Sequence, residues 1–188
     1  MQELKSLENH FLIAMPSLQD KYFNRSVTYI CEHSKAGAMG IIINQPSTMT
    51  FRELIQQTTE DAIIDDDKSA KIVVCGGPVH PDRGFVLHSK QAGWASSVEL
   101  TSEIMVTTSK DILEVVGNEQ GPHKSIVALG YAGWEAGQLE QEIQDNAWLT
   151  IEADTELLFD VPIHKKWQYA VNKLGVDVWQ LTQEAGHA

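Results

Sequence analysis

Cysteine is scarce: Cys31 and Cys75 are the only two in 188 residues, and they form neither a CxxC pair nor the spacing of a disulfide framework. Two reduced thiols seated in strands are the expectation, which fits a cytoplasmic protein. Positive charge is scarce as well. Lys and Arg number 14 against 26 Asp and Glu, so the formal charge is 14 − 26 = −12. A protein that grips nucleic acid regardless of sequence sets roughly 6–10 basic side chains on phosphates. The densest basic feature here is the pair Lys165-Lys166. Long-range repulsion therefore works against direct contact with nucleic acid or anionic lipid. Long apolar runs are missing too. Ile41-Ile42-Ile43 and residues 71–75 are strand-sized, far short of the roughly 18 residues of a membrane span. Residues 1–6 show no cationic stretch leading into an apolar one, so no secretory signal is expected.

What is present suits a folded chain. Hydrophobic residues make up 43% and charged residues 21%, enough to bury a core without disulfides or metal. No repeat, low-complexity tract or Pro/Gly/Ser linker divides the sequence, so residues 1–188 read as one domain. Residues 11–14 form a short apolar strand before Met15-Pro16. Residues 26–32 alternate Val27, Tyr29 and Cys31 against Thr28, Ile30 and Glu32, the period of a half-buried strand. A turn over 33–37 and a partner strand over 39–44 complete a hairpin. Thr50 and Glu53 have the spacing of a capping box, which predicts a helix through Gln57. Residues 58–70 hold Asp65-Asp66-Asp67 and read as an acidic loop without calcium-loop spacing.

Further strands are expected over 71–75, 84–88, 98–100, 104–106, 124–130 and 148–152, with a helix from Ser109 to Gly117 and a polar one ending near Gln144. Trp167, Ala170, Val171 and Leu174 fall at i, i+3, i+4 and i+7 ahead of Gly175, an amphipathic helix with its stop signal. Strands outnumber helices without alternating with them, which argues for an α+β domain with a mixed, barrel-like sheet flanked by helices.

Four stretches carry a family resemblance. They are FLIAMP from Phe11 with FNRSV from Phe23, GAMGIIINQP from Gly37, GGPVHPDRGFVLH from Gly76, and LGYAGW from Leu129 with GQLEQE from Gly137 and NAWL from Asn146. In this order and spacing the chain resembles the AlgH/YqgE family of bacterial proteins, and the 167–175 helix fits it as well. The resemblance implies a barrel-like sheet wrapped by helices. It also implies the role of a transcriptional regulator, since one branch is named for an effect on alginate synthesis. The family pattern carries no established catalytic residue.

Two glycine-rich stretches are the candidate sites. Residues 76–84 leave a strand through Gly76-Gly77-Pro78 and present His80, Asp82 and Arg83, which could hold an anion or polarise a carbonyl; the alternative is a structural crossover. Residues 130–137 lie between a strand and a helix, where Tyr131 and Trp134 could line a groove. This second stretch is neither a dinucleotide nor a P-loop fingerprint, and Glu135 stands where a phosphate site would want a lysine, so no cofactor is expected. His80, Asp82 and His88 lack metal-ligand spacing. Cys31 and His33, two apart on one strand, would share a face, but Cys31 fits the apolar alternation better than a nucleophile's place. The five tryptophans read mostly as core, with room for one exposed anchor. No catalytic constellation emerges. The expected function is a regulatory or interaction role through a protein partner, with an indirect effect on transcription; the alternative is a small-molecule binder or enzyme using residues 76–84.

Overall fold

The computed structural model describes residues 5–59, 71–175, 177 and 180. The acidic run Asp65-Asp66-Asp67 and Trp179 lie outside the described residues. Along the chain come β1 (His10–Ala14), β2 (Val27–Ser34), β3 (Gly37–Ile42), α1 (Phe51–Thr58), β4 (Val73–Cys75), β5 (Val79–Ser89), β6 (Ser97–Glu99), β7 (Ile104–Thr107), β8 (Ser125–Glu135), α2 (Gln138–Gln144), β9 (Trp148–Glu152) and α3 (Lys166–Leu174). The sheet runs β6-β7-β5-β8-β3-β2-β1-β9, with β4 alongside β8. Every pair is antiparallel except β4 with β8. The fold is therefore α+β, a mixed sheet curled into a half-barrel.

Burial follows from the strand period. The concave face gathers Phe11, Ile13, Tyr29, Ile41, Phe85 and Leu87, and α3 plugs it with Trp167, Ala170 and Val171. Alternate residues face outward and are covered in two places. Phe51, Leu54 and Ile55 of α1 pack on Val73, Val86 and Val127. Leu139 of α2 packs with Leu12, Ile30, Trp134 and Trp148. The capping box of α1 is formed from both sides: Glu53 N–H donates to Thr50 Oγ1 at 3.2 Å, and Thr50 N–H to Glu53 Oε2 at 2.7 Å. Gly175 closes α3 at φ 65°, a left-handed stop suited to glycine. The helix expected from Ser109 to Gly117 is shorter, a 3-10 turn over Lys110–Glu114 that buries Ile112.

Two expectations change at the sheet's centre. Residues 131–134 are not a corner: β8 continues through them to Glu135, with Tyr131 and Trp134 on opposite faces. Their surroundings are those of a sheet, since residues 132–135 pair with β3. The glycine-rich stretch 76–84 is likewise only in part a loop. Gly76 and Gly77 make a crossover, and from Val79 onward the chain is β5. The structural crossover accounts for Gly76 and Gly77. A Cβ on Gly76 would lie 2.2 Å from the Gly130 oxygen, and one on Gly77 2.2 Å from the Tyr131 carbonyl.

Candidate functional site

The bulge in β5 brings the candidate residues to the surface. Val79 pairs with Tyr131 and Gly84 with Leu129, so β5 advances 84 − 79 = 5 residues while β8 advances 131 − 129 = 2. Residues 80–83 therefore stand out from the ladder opposite Gly130. Gly130 makes room at φ 76°: a side chain there would meet the Gly77 oxygen at 2.5 Å and Pro81 Cα at 3.2 Å. His80 takes a left-handed φ of 44°, which costs a non-glycine residue strain. His80, Pro81, Asp82 and Arg83 are all exposed. A bulge of this kind is a recurrent way for a sheet to re-aim side chains.

Three clefts meet at the bulge. The first, about 450 Å³, opens at the mouth of the concave face between the β2–β3 hairpin, β5, β6, β7 and β8. Its walls are Met39, Phe85, Val98, Leu100, Val106 and Tyr131, and its charged rim is Arg83 and Glu32. The second, about 240 Å³, runs between the bulge and α1 and is lined by Asp82, Arg83, Lys110 and Leu113. The third, about 440 Å³, holds Lys21, Tyr22, Ser47, Thr48, Cys75 and Pro81. Arg83 thus serves two clefts, and its guanidinium lies over the Phe85 ring at 5.4 Å. Phe85 meets Tyr131 edge to face at 5.7 Å, and His80 lies 6.0 Å from Tyr131. A guanidinium stacked on an aromatic face keeps its N–H fork free to bind a carboxylate or phosphate.

Of the five residues singled out in the sequence, the structure assembles three closely. His80, Arg83 and Tyr131 form one row with Phe85. Asp82 faces the neighbouring cleft beside α1 and makes no ion pair with Arg83. Trp134 is removed from the site altogether. It is buried on the outer face, where it packs against Phe23 and Trp148 and donates its indole N–H to Glu142 Oε2 at 2.9 Å. The remaining cleft walls, Met39, Val98, Leu100 and Val106, were not singled out; the one signal available was Val98, an apolar residue set among Ser96, Ser97 and Glu99.

The cysteine readings sharpen. Cys31 sits at a register shift between Ile30 and Glu32, a bulge that reverses the alternation of β2. Cys31 keeps the parity of Val27 and Tyr29 and joins the concave core with them, while past the bulge His33 turns to the other side and bonds Glu140 of α2 at 2.7 Å. The two do not share a face. Burial, with Glu32 adding a smaller push, raises the Cys31 thiol to about 12, which keeps it protonated and unreactive. Cys75 is half-buried beside the crossover. Among the described residues no three His, Cys, Asp or Glu side chains gather closely enough to hold a metal. None of the described helices is long and apolar enough to cross a membrane.

Comparison with known proteins agrees with this architecture. The AlgH-like family pattern matches residues 11–179. A UPF0301 protein of Pseudoalteromonas translucida is 54% identical over 189 residues, covering 98% of this chain and 100% of its own. One from Yersinia enterocolitica is 53% identical, covering 97% of this chain and 100% of its own. The solution structure of the AlgH protein from Pseudomonas aeruginosa superposes with a TM-score of 0.79 at 45% identity, over 100% of this chain and 99% of that one. A Corynebacterium diphtheriae protein shares the fold at 19% identity, with a TM-score of 0.69 over 95% of this chain and 92% of that one. With a family match across residues 11–179 and relatives aligned end to end, this chain belongs to the AlgH-like family.

Proposed function

We propose that the protein works by binding a partner protein, holding an extended segment of it in the cleft at the mouth of the half-barrel. Any influence on transcription is then indirect, in keeping with a formal charge of −12 that works against contact with nucleic acid. The observation that carries this is the join between the cleft and a sheet edge that no described strand covers. β6 ends the sheet. Leu100 N–H bonds the Ile104 carbonyl and Thr108 N–H the Ser96 carbonyl, at 2.9 Å each. The antiparallel alternation then turns the main-chain groups of Ser97 and Glu99 away from β7, toward the edge. Val98, 59% exposed, and Leu100 meanwhile face the cleft. A strand added to β6 would find main-chain partners at Ser97 and Glu99 and drop alternate apolar side chains between Val98, Phe85 and Tyr131. Arg83 at the rim suits an acidic residue on that segment.

The test is selection of peptides from a random displayed library on the purified protein, followed by amide mapping of the winners. Peptides rich in alternate apolar residues are expected, shifting Ser97, Glu99 and Tyr131 and losing affinity with Val98→Lys. Winners that map elsewhere, or that bind Val98→Lys equally well, overturn the proposal. A cleft of about 450 Å³ would also admit a small molecule. Such a ligand would shift Phe85 and Tyr131 but leave the Ser97 and Glu99 amides in place.

A further inference from the structure

A second site lies at the other end of the sheet, away from the bulge. Lys71, just ahead of β4, donates its ammonium to the Ser125 hydroxyl at the start of β8. On the same cavity, Lys166 opens α3 with only 4% of its surface exposed. Its Nζ donates to the main-chain carbonyls of Leu157, at 3.1 Å, and Leu158. Lys71, Ser125 and Lys166 line one cavity of about 330 Å³, whose other walls apart from Asp160 are apolar, among them Ile43, Ile126, Phe159 and Ile163. At its edge Ile72 is 54% exposed, one of two large hydrophobic residues so placed among those described.

The charge balance of this cavity runs against that of the chain. Asp160 also lines it, but its carboxylate is already engaged by Lys124 at 2.6 Å. The cavity lining carries Lys71 and Lys166 against Asp160, 2 − 1 = +1, in a chain whose formal charge is −12, and Lys124 meets Asp160 from outside the lining. Among the described residues, the Lys71 and Lys166 ammoniums donate to a hydroxyl and two carbonyls, none of which carries charge. Burial holds both amines down to about 8, with Asp160 opposing the fall at Lys166. A charge withdrawn from water is costly until a counter-charge meets it.

We infer that this cavity binds a small carboxylate carrying an apolar body, with the carboxylate between Lys71 and Lys166 and the hydrocarbon against Ile72, Phe159 and Ile163. Bare phosphate would satisfy the lysines and leave the apolar walls wet. A neutral hydrocarbon would fill the walls and leave the charges unmet. The site shares no lining residue with the cleft at the mouth of the half-barrel, so its success or failure leaves that proposal where it stands.

The probe is hexanoate, titrated into the full chain and followed by amide spectra, with inorganic phosphate and sodium chloride as parallel arms. Hexanoate is expected to give saturable shifts at Ile72, Ser125, Ile126 and Ile163, at concentrations where chloride gives none. Lys71→Gln is expected to weaken binding about tenfold or more, the size of one charge-assisted hydrogen bond. Ser125→Ala, which removes the hydroxyl that holds Lys71, is expected to weaken it by a smaller factor. Lys90→Gln, an exposed and distant control, is expected to leave it unchanged. Absence of saturable shifts with hexanoate, or affinity unchanged in Lys71→Gln and Ser125→Ala alike, overturns the inference. Saturation by phosphate alone overturns the assigned ligand class.

Discussion

Alanine at Gly76 and alanine at Gly84 should behave oppositely, although the two glycines bracket the same motif. A Cβ on Gly76 would stand 2.2 Å from the Gly130 oxygen and 3.2 Å from Ile41 Cγ2, which requires a movement of about 1 Å to reach ordinary contact. The main chain is poorly able to give it. Gly76 N–H donates to the Leu129 carbonyl and its own carbonyl accepts from Ile42 N–H, both at 2.8 Å. Movement in either direction weakens one of those bonds. Overpacking of about 1–3 kcal/mol plus two weakened hydrogen bonds of about 1 kcal/mol each puts the loss for Gly76→Ala at about 3–5 kcal/mol. That is a large part of the about 5–15 kcal/mol that holds a domain together. At Gly84 a Cβ meets nothing within 4 Å, and alanine in a strand gains about 0.5–1 kcal/mol over glycine. Urea unfolding followed by tryptophan fluorescence reads both on one scale. A Gly76→Ala protein within about 1 kcal/mol of wild type, or no less stable than Gly84→Ala, would refute the crossover as the reason for the glycine.

Three further outcomes follow from buried polar groups. Thr28 Oγ1 is buried without a partner among the described residues, so Thr28→Val should stabilise by about 1–2 kcal/mol in the same urea assay. Glu142 Oε2 accepts the indole N–H groups of Trp134 at 2.9 Å and Trp148 at 2.8 Å; Glu142→Ala should cost about 2–4 kcal/mol by thermal or urea unfolding, and Glu142→Gln should recover most of it. His88 is buried, its Nδ1–H donating to the Ser89 carbonyl at 2.8 Å, so Nε2 is left to accept from Thr107 at 2.7 Å. Burial holds the imidazole below its ordinary value, against a smaller upward push from the Ser89 carbonyl. The neutral ring's contribution is therefore complete above the unfolded value of about 6.5 and is lost as pH falls from there through the lowered folded value. Unfolding at pH 7.5 and 5.5 (about one unit on either side of that value) should show His88→Gln losing less stability than wild type, and equal losses would count against it.

The parts of the fold that could be read from sequence are those whose signal is local. Thr50 and Glu53 announce α1 because both halves of the capping box lie within one turn. Trp167, Ala170, Val171 and Gly175 announce α3 and its end for the same reason. Strand alternation located β2 but not the slip at Cys31, because a bulge changes parity without changing composition. Residues 76–77 were recognisably irregular, yet the reason is Gly130, 130 − 76 = 54 residues onward, and no periodicity connects them. Gly130 and Gly133 ended the expected strand at 130 and left residues 131–134 between strand and helix, which hid the opposite facing of Tyr131 and Trp134. Lys166 was visible only as half of a basic pair. Its burial, and its company with Lys71 and Ser125, arise from three segments that meet only in the folded chain.

The seat of β1 bears on how the chain is made. β1 bonds β2 on one side and β9 on the other, and its Ala14 carbonyl accepts the Trp167 indole N–H at 2.9 Å, 153 residues away in sequence. On the ribosome β1, β2 and β3 can pair early, but the far edge of β1 stays bare until β9 has emerged, and its inner face stays unplugged until α3 follows. Contacts of such separation slow folding, and an uncovered apolar edge invites pairing with other chains. Fragments ending before β9 should for that reason aggregate or be degraded, and the last quarter of the polypeptide acts as the clasp that makes the first quarter safe in solution.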